Sequence, residues 1–219
     1  MIRIIASLAL FTFCAVPFAA QTPIPDAQKQ TETRKTVHEL FVEDQETIPG
    51  AANGMSTLTP QQYIERLEVR KATLRAMLAD GEIKSAMDFK EAAFIFQHGD
   101  NPEDCLFAHV LAMEALARGE ASAKWIAAAT LDRYLQSIKQ PQIFGTQYPL
   151  DPNLPHPVAG GNAPFRGGLT LQPYNEDFLT DAVRLDFCVP VLAQQKQNVS
   201  LFNAGQRPRG TMTAPGCSR

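Results

Sequence analysis

The part of the chain richest in chemically useful side chains lies between residues 89 and 148, inside an alanine-rich and otherwise apolar stretch. It contains His98, His109 and the adjacent pair Asp132 and Arg133. An imidazole exchanges protons near neutral pH, a carboxylate can orient it, and a guanidinium holds an anion. These residue types indicate either proton transfer or the binding of a charged group.

One hypothesis is a hydrolase or a transferase. In it His98 is the general base, Asp132 orients its ring, and Arg133 stabilises a developing anion together with the backbone amides of residues 145–147. The sequence offers no clear nucleophile beside these residues, so the attacking group in this hypothesis is water.

The hypothesis that the sequence favours is a helical binding or scaffold module with a polar pocket, because it needs no nucleophile. Its partner would be an unknown small ligand, a peptide or an envelope protein. The pocket would use side chains of the same stretch, and the residues that we expect to contact the ligand are Gln97, His109, Gln142, Gly145, Thr146 and Gln147.

Each of these residues also has a purely structural interpretation. His98 stands at the end of a predicted helix, where a histidine caps the last carbonyl groups. His109 lies among apolar residues, which is typical of a core histidine bonded to one acid. Asp132 and Arg133 would form an ion pair with a neighbouring helix, and residues 145–147 would be an ordinary turn with its glycine.

Two further kinds of site are not favoured. Cys105 and His109 are four residues apart on one helical face, as in a thiol and imidazole pair, but an exported free thiol is easily oxidised. A metal held by His98, His109 and Asp132 would require spacings that match no zinc motif. We therefore expect no metal and no cofactor.

Four helices are predicted to position these residues. The first begins at the capping box Thr59–Gln62 and ends at Gly81. The second begins at Ser85, with Asp88 as the other half of its capping box, and ends at Gly99, where a left-handed backbone is expected.

The third helix begins at Asn101 and Pro102 and ends at Gly119. The fourth covers about residues 121–139 and must end before Pro141. Helices joined by such short turns pack antiparallel. The fold class that follows is mainly α, an antiparallel helical-hairpin array or bundle.

Antiparallel packing predicts that the polar residues meet at one end of this bundle. His109 lies level with residues 129–130 of the next helix, and Asp132 and Arg133 follow one turn further on. His98 ends the second helix at the same pole, beside the turn that follows the fourth helix.

Loose patterns, AxxxFxHG and AxxxLARG, are shared by the second and third helices. They are at most similar to Sel1-like or tetratricopeptide arrays, because no spacing recurs three times.

The composition changes after Tyr148, where proline, glycine and asparagine become frequent. There the segment LTLQPY predicts a short β element, and one or two helices broken at Pro190 follow it.

Residues 1–20 have the layout of a secretory signal peptide, with Arg3, an apolar run over 4–16 and a cut after Ala20. We expect a periplasmic or secreted protein, with no transmembrane helix in the mature chain. Of the 20 basic residues, removing Arg3 leaves 19 against 23 acidic ones, a net charge of −4. With no basic stripe, nucleic acid is not an expected partner.

The mature chain is predicted to form one domain. Residues 21–58 predict a flexible lead-in, within which a short helix from Glu32 to Asp44 is possible. Residues 59–148 predict the helical core domain. Residues 149–219 predict a loop-rich extension packed on the same domain.

Three cysteines remain after the cut: Cys105, Cys188 and Cys217. An exported chain meets an oxidising compartment, so one pair should be bridged and one cysteine left over. The preferred pair is Cys188 with Cys217, because this bridge would pin a loose C-terminal tail. Cys105 is then expected to be a small buried apolar side chain on a helix.

The segments AAFIFQHG, AAATLDRYL and PQIFGTQY resemble the signature of a bacterial family of unknown function. Its members carry a Gln-His pair, an Asp-Arg pair and a Gln-x-Tyr/Phe-Gly-Thr-Gln turn. The resemblance covers residues 92–148, and more loosely LTLQPYNEDFLTDAVRLDFCVPVLAQQ. It implies no activity. Cys105 and His109 lie outside the pattern, to which the resemblance assigns Gln97, His98, Asp132, Arg133, Gln142, Gly145, Thr146 and Gln147.

Overall fold

A computed structural model describes most of the chain that follows the expected signal peptide. The described residues are 35–49, 56–151, 153, 168–206, 213, 214 and 217. The signal peptide and the first part of the expected lead-in therefore lie outside the described residues.

The described residues form a mainly helical structure, as the sequence predicts. Consecutive helices pack in pairs, α3 on α4 and α4 on α5, and a short 3-10 turn, Ala121–Ala123, precedes α5. The bounds are α1 (Val37–Thr47), α2 (Pro60–Ala79), α3 (Ala86–Phe96), α4 (Pro102–Ala117), α5 (Lys124–Ser137), α6 (Asp181–Asp186) and α7 (Leu192–Asn203).

Local capping explains where the helices begin. Complete capping boxes open α2 at Thr59 and α3 at Ser85, both as predicted. The Asn101 side chain accepts from the Asp104 backbone amide at 2.8 Å and opens α4. A third capping box, at Thr36, opens α1.

Two of the predicted glycine stops have the expected left-handed backbone, and one does not. Gly81 ends α2 at φ 68° and Gly119 ends α4 at φ 92°. Gly99 has no left-handed φ, so that expectation is wrong. Gly99 is required for another reason: a Cβ at this position would stand 2.4 Å from the Oδ2 of Asp104.

Helix α3 is the centre of the core. Every residue from Phe89 to Phe96 is buried, because α1, α2, α4 and α5 all contact this helix. Alanines such as Ala92 and Ala112, which have no exposed surface, allow the helix axes to approach closely. The polar residues at the C-terminal end of α3 are thus surrounded by several helices.

Helix α1 lies in the range predicted as a lead-in, shifted towards the C-terminus from the expected 32–44. It runs parallel to α3: Phe41 contacts Phe94, with ring centroids 5.8 Å apart, and one turn later Asp44 contacts His98. This register delivers an acidic side chain to the pole where the sequence predicts a site.

In the C-terminal region the expected short strand is not confirmed. The described residues form two isolated bridges, Gln142 with Tyr174 and Leu150 with Leu169. The likeness to Sel1-like or tetratricopeptide arrays is also not confirmed. The predicted break holds, because α6 and α7 are separate helices on either side of Pro190.

A disulfide joins Cys188 to Cys217, with their Cα atoms 5.7 Å apart, so the preferred pairing is confirmed. Cys105 is buried and free. No helix among the described residues has both the length and the apolar character needed to cross a membrane.

Candidate functional site

A buried carboxylate, that of Asp44 in the last turn of α1, joins three helices. Asp44 has no exposed surface. It accepts hydrogen bonds from the Tyr63 hydroxyl at 3.2 Å and from the Arg70 Nη1 at 3.4 Å, both on α2. The His98 Nδ1, just after α3, lies 2.8 Å from its other oxygen. Asp44 is therefore shared by a phenol, a guanidinium and an imidazole.

Helical spacing explains why α2 supplies two of these partners. Tyr63 and Arg70 are seven residues apart, about two turns, so they occupy the same face of the helix. Both side chains are buried. Arg70 also donates to the Thr47 Oγ1 at 2.8 Å, which ties α2 to the C-terminus of α1.

His98 is positioned by Asp44 and not by Asp132, which corrects the expected pairing. An ionised carboxylate only accepts, so the His98 Nδ1 carries the proton of this hydrogen bond. Its Nε2 makes no hydrogen bond to a described residue, and 19% of the side chain is exposed. The ring does not cap the carbonyl groups of α3 either.

The environment of Tyr63 keeps its hydroxyl protonated. Burial is the largest cause that raises the pKa of Tyr63, and the charge of Asp44 and its hydrogen bond add to it. The charges of Arg70 and Arg133 oppose this rise, so Arg133 lies near Tyr63. The ring of His98 is also a neighbour, with centroids 6.4 Å apart. Tyr63 therefore has His98 as a ring neighbour and lies within the electrostatic range of Arg133.

Arg133, on α5, is a cation without a partner among the described residues. Its Nε is buried and makes no hydrogen bond. Its Nη atoms also make none, and the residue is only half-buried. Burial lowers the pKa of the guanidinium, and its interactions with Cys105 and Tyr63 oppose this. The ion pair expected from the Asp132 and Arg133 sequence is therefore wrong.

Cys105 and His109 do not form the thiol and imidazole pair considered above. His109 is half-buried, and its Nδ1 lies 2.9 Å from the carbonyl oxygen of Ala127, so its partner is a backbone group and not an acid. Burial raises the pKa of the Cys105 thiol, and the charge of Arg133 opposes this rise. Cys105 is thus a buried neighbour of Arg133.

Asp44 and His98 stand at the C-terminal ends of α1 and α3, where both contact α2, and the start of α4 and Arg133 on α5 act on this region through their charges. The Tyr63 ring neighbours the His98 ring, and the charge of Arg133 acts on the Tyr63 hydroxyl, so Tyr63 links these two predicted site residues. We call the following residues the polar cluster: Asp44, Tyr63, Arg70, His98, Cys105 and Arg133.

Asp132 organises the turn that follows α5. It has no exposed surface. Its carboxylate accepts from the backbone amides of Ile143 at 2.8 Å, Phe144 at 2.9 Å and Thr146 at 2.9 Å, and from the Thr146 hydroxyl at 2.8 Å. Burial raises the pKa of Asp132 and these donors oppose the rise. The four contacts leave the carboxylate no role in orienting His98.

The two glutamines of the turn complete its internal hydrogen bonds. Gln142 is fully buried, donates to the Gln147 carbonyl oxygen at 3.0 Å and accepts from the Gln147 amide at 3.0 Å. The Gln147 side chain donates to the Ala129 carbonyl oxygen on α5 at 3.2 Å. The side-chain amides of both glutamines therefore form hydrogen bonds with the protein itself.

Gly145 is required by space as well as by its backbone. Its φ is +83°, and a Cβ there would stand 2.0 Å from the Gln195 Oε1. Gln195, on α7, donates to the carbonyl oxygens of Phe144 and Pro190 at 2.8 and 2.7 Å. The turn is therefore locked to the C-terminal region.

Gln97 differs from the turn residues. It is buried at the end of α3 with 6% of its surface exposed, and its side-chain amide has no hydrogen-bond partner among the described residues. It precedes His98, so an unused amide stands next to the polar cluster.

A group of three carboxylates lies beside the polar cluster, and two of them are paired with protein cations. Oxygen atoms of Glu68, Asp100 and Asp104 lie within 4.8 Å of one another. The Lys71 ammonium contacts both Glu68 and Asp104, and Arg75 donates to Asp104 at 2.7 Å. These contacts make the group a structural ion network.

Sequence reasoning missed Asp44, Tyr63 and Arg70. The capping box that begins at Thr36 could have indicated α1, and the seven-residue spacing could have placed Tyr63 with Arg70. Nothing local indicates that Asp44 would pair with a histidine 54 residues away.

Comparison of the chain with known protein families, with curated proteins and with solved structures gave no match.

We predict that Asp132→Asn destabilises the protein by about 3 kcal/mol, because an amide in place of a carboxylate disrupts buried, charge-assisted hydrogen bonds. Urea unfolding followed by circular dichroism measures this change. The control is Asp177→Asn, an exposed residue expected to stay within about 0.5 kcal/mol. Equal stabilities for both variants would show that Asp132 does not hold the turn.

Arg133 and Arg70 should respond to the same substitution with opposite signs. Arg133→Met removes a partnerless cation and is expected to stabilise the ligand-free protein by about 1–2 kcal/mol. Arg70→Met leaves Asp44 without its cation and is expected to cost about 3 kcal/mol. Urea unfolding midpoints check both, and a loss of stability in Arg133→Met similar to that in Arg70→Met would contradict the assignment.

Proposed function

We propose that this chain is a binding module whose small ligand contacts the polar cluster. The observation that carries the proposal is the unpartnered guanidinium of Arg133, with its Nε buried. Buried polar groups in folded proteins are almost always satisfied, because leaving one without a partner costs about 1–3 kcal/mol. A ligand anion at the accessible Nη groups would neutralise the guanidinium charge that burial disfavours, while Nε itself stays covered by the protein.

The surroundings of Arg133 support a binding role over a structural one. Asp44 is already shared by Tyr63, Arg70 and His98, so it does not neutralise Arg133. His98 and Arg133 are both partly exposed, which gives a ligand access to the cluster from solvent.

The proposal changes the roles of several residues that the sequence nominates. Gln97, with its unused amide, stays a candidate ligand contact. His109 is set aside, because Ala127 already engages its ring. In this proposal the turn acts as support for α5 and not as a contact surface, and its residues are Gln142, Gly145, Thr146 and Gln147.

The experiment is an NMR titration of the full chain with a fragment library that contains neutral, cationic and anionic compounds. We expect at least one fragment to shift the ring signals of His98 and Tyr63 and the Arg133 Nε–H signal, with saturation. Arg133→Gln should abolish these shifts. Arg118→Gln, an exposed arginine paired with Glu114, should retain them.

Absence of any saturable shift at the polar cluster across the whole library would overturn the binding proposal. Fragments that bind only at other surfaces, with shifts that Arg133→Gln leaves unchanged, would overturn it equally.

A second candidate function is the hydrolase or transferase hypothesis in a revised form. The observation that favours it is the buried carboxylate 2.8 Å from the His98 Nδ1, with Nε2 left free to accept a proton. His98 would be the general base, Asp44 its orienting acid in place of Asp132, and Arg133 the anion stabiliser.

The catalytic candidate predicts that the full chain hydrolyses some member of a panel of activated carboxylate and phosphate esters. His98→Gln should lower that rate by at least about 100-fold because it removes the base, while the glutamine amide keeps a donor for Asp44, and circular dichroism verifies that the variant is folded. The matched control is His109→Gln, which should keep the rate. Equal rates in the protein and in His98→Gln would exclude this candidate.

Export is a further part of the proposal. The signal-peptide layout of residues 1–20 and the disulfide between Cys188 and Cys217 both suit an oxidising compartment, and we propose a periplasmic or secreted location. Membership in the bacterial family of unknown function stays a prediction from the residues quoted above.

A further inference from the structure

We propose that the ligand of the polar cluster presents a single carboxylate group to Arg133. This inference rests on the proposed binding function and adds the chemical class of the ligand.

Cations buried elsewhere in the chain show what Arg133 lacks. Arg70 contacts Asp44, Lys71 contacts Asp104 and Arg184 donates to Asp181 at 2.9 Å. Arg133 contacts no carboxylate among the described residues. Lys90, which is also buried, donates to the Ser122 hydroxyl instead. A carboxylate supplied by a ligand would give Arg133 the kind of partner that the protein itself gives to three of these four buried cations.

The geometry of a guanidinium favours a planar, two-oxygen partner. The two Nη groups of Arg133 make no hydrogen bonds to described residues, and unlike Nε they are not sealed inside the protein. They offer parallel N–H donors on one edge of the plane, which match the two oxygens of a carboxylate. A neutral amide or hydroxyl would satisfy fewer of these donors and none of the charge.

The charge of the polar cluster matches one negative charge and not two. His98 aside, it holds two guanidinium groups and one carboxylate, a balance of +1. Tyr63 and Cys105 stay protonated and add no charge. The neighbouring group of Glu68, Asp100 and Asp104 holds three carboxylates against the two cations Lys71 and Arg75, so it adds no positive charge for a second anion. A dianion such as phosphate would leave an excess negative charge near Asp44.

The test uses two matched pairs of probes on the full chain: acetate with acetamide, and benzoate with benzamide. Each pair has nearly the same shape and differs in charge. Dissociation constants come from the NMR shifts of His98, Tyr63 and the Arg133 Nε–H, at constant ionic strength. We expect each carboxylate to bind at least about 10-fold more tightly than its amide.

Variants separate a specific site from a general attraction. Arg133→Gln should abolish the preference for the carboxylate, while Arg118→Gln should keep it. Urea unfolding of Arg133→Gln verifies that the variant is folded, and we expect it to be at least as stable as the unaltered chain. Inorganic phosphate and sulfate form the third arm, and both should bind more weakly than acetate.

The outcomes distinguish this inference from the binding proposal beneath it. If the amides bind the polar cluster as tightly as the carboxylates, the module stands and the carboxylate assignment is overturned. Tighter binding of phosphate or sulfate than of acetate also overturns the assignment, in favour of a dianion. If neither these probes nor the fragment library shifts the cluster signals, both proposals fall.

Discussion

The hydrogen bonds to the Asp44 carboxylate are the constraint on which the polar end of this protein depends. A carboxylate with no exposed surface must be compensated by donors, and Tyr63, Arg70 and His98 supply them from α2 and from the end of α3. Because the carboxylate belongs to α1, two donors to α2 and the third to the end of α3, satisfying one charge fixes the relative positions of three helices. The half-exposed face of His98 and the free guanidinium of Arg133 are consequences of that arrangement.

Two buried aspartates, Asp132 and Asp44, have different structural roles in this molecule. All four hydrogen bonds that Asp132 accepts come from the turn after α5. The close approach of Gly145 to Gln195 fixes the position of this turn. Asp44 instead spreads its contacts over separate helices. The first carboxylate makes one end of α5 rigid, and the second leaves a cation on that same helix without a partner. Rigid support around an unsatisfied charge is an arrangement suited to binding a ligand without large rearrangement.

Much of the helical framework was predictable because its signals are local. The boxes at Thr59 and Ser85 involve residues three apart, and the left-handed stops at Gly81 and Gly119 need only their own backbone angles. Gly99 is the exception. A side chain at this position would collide with Asp104, so glycine is needed for space and not for a left-handed backbone. A stop signal in a sequence does not reveal which of these two causes operates.

The sequence alone determined the mainly helical class, the helix starts and the preferred disulfide, because these depend on short-range capping and on the redox logic of exported cysteines. Helix lengths and short turns also predicted that His98 and Arg133 lie towards the same pole of the bundle. Only the tertiary structure decided that Asp44, from α1, would hold His98, while Asp132 would be consumed by the turn. The partners of each buried carboxylate depend on which donors the packing of distant segments brings within hydrogen-bond distance. Neither the periodicity of the sequence nor the spacing of residues along the chain contains this information.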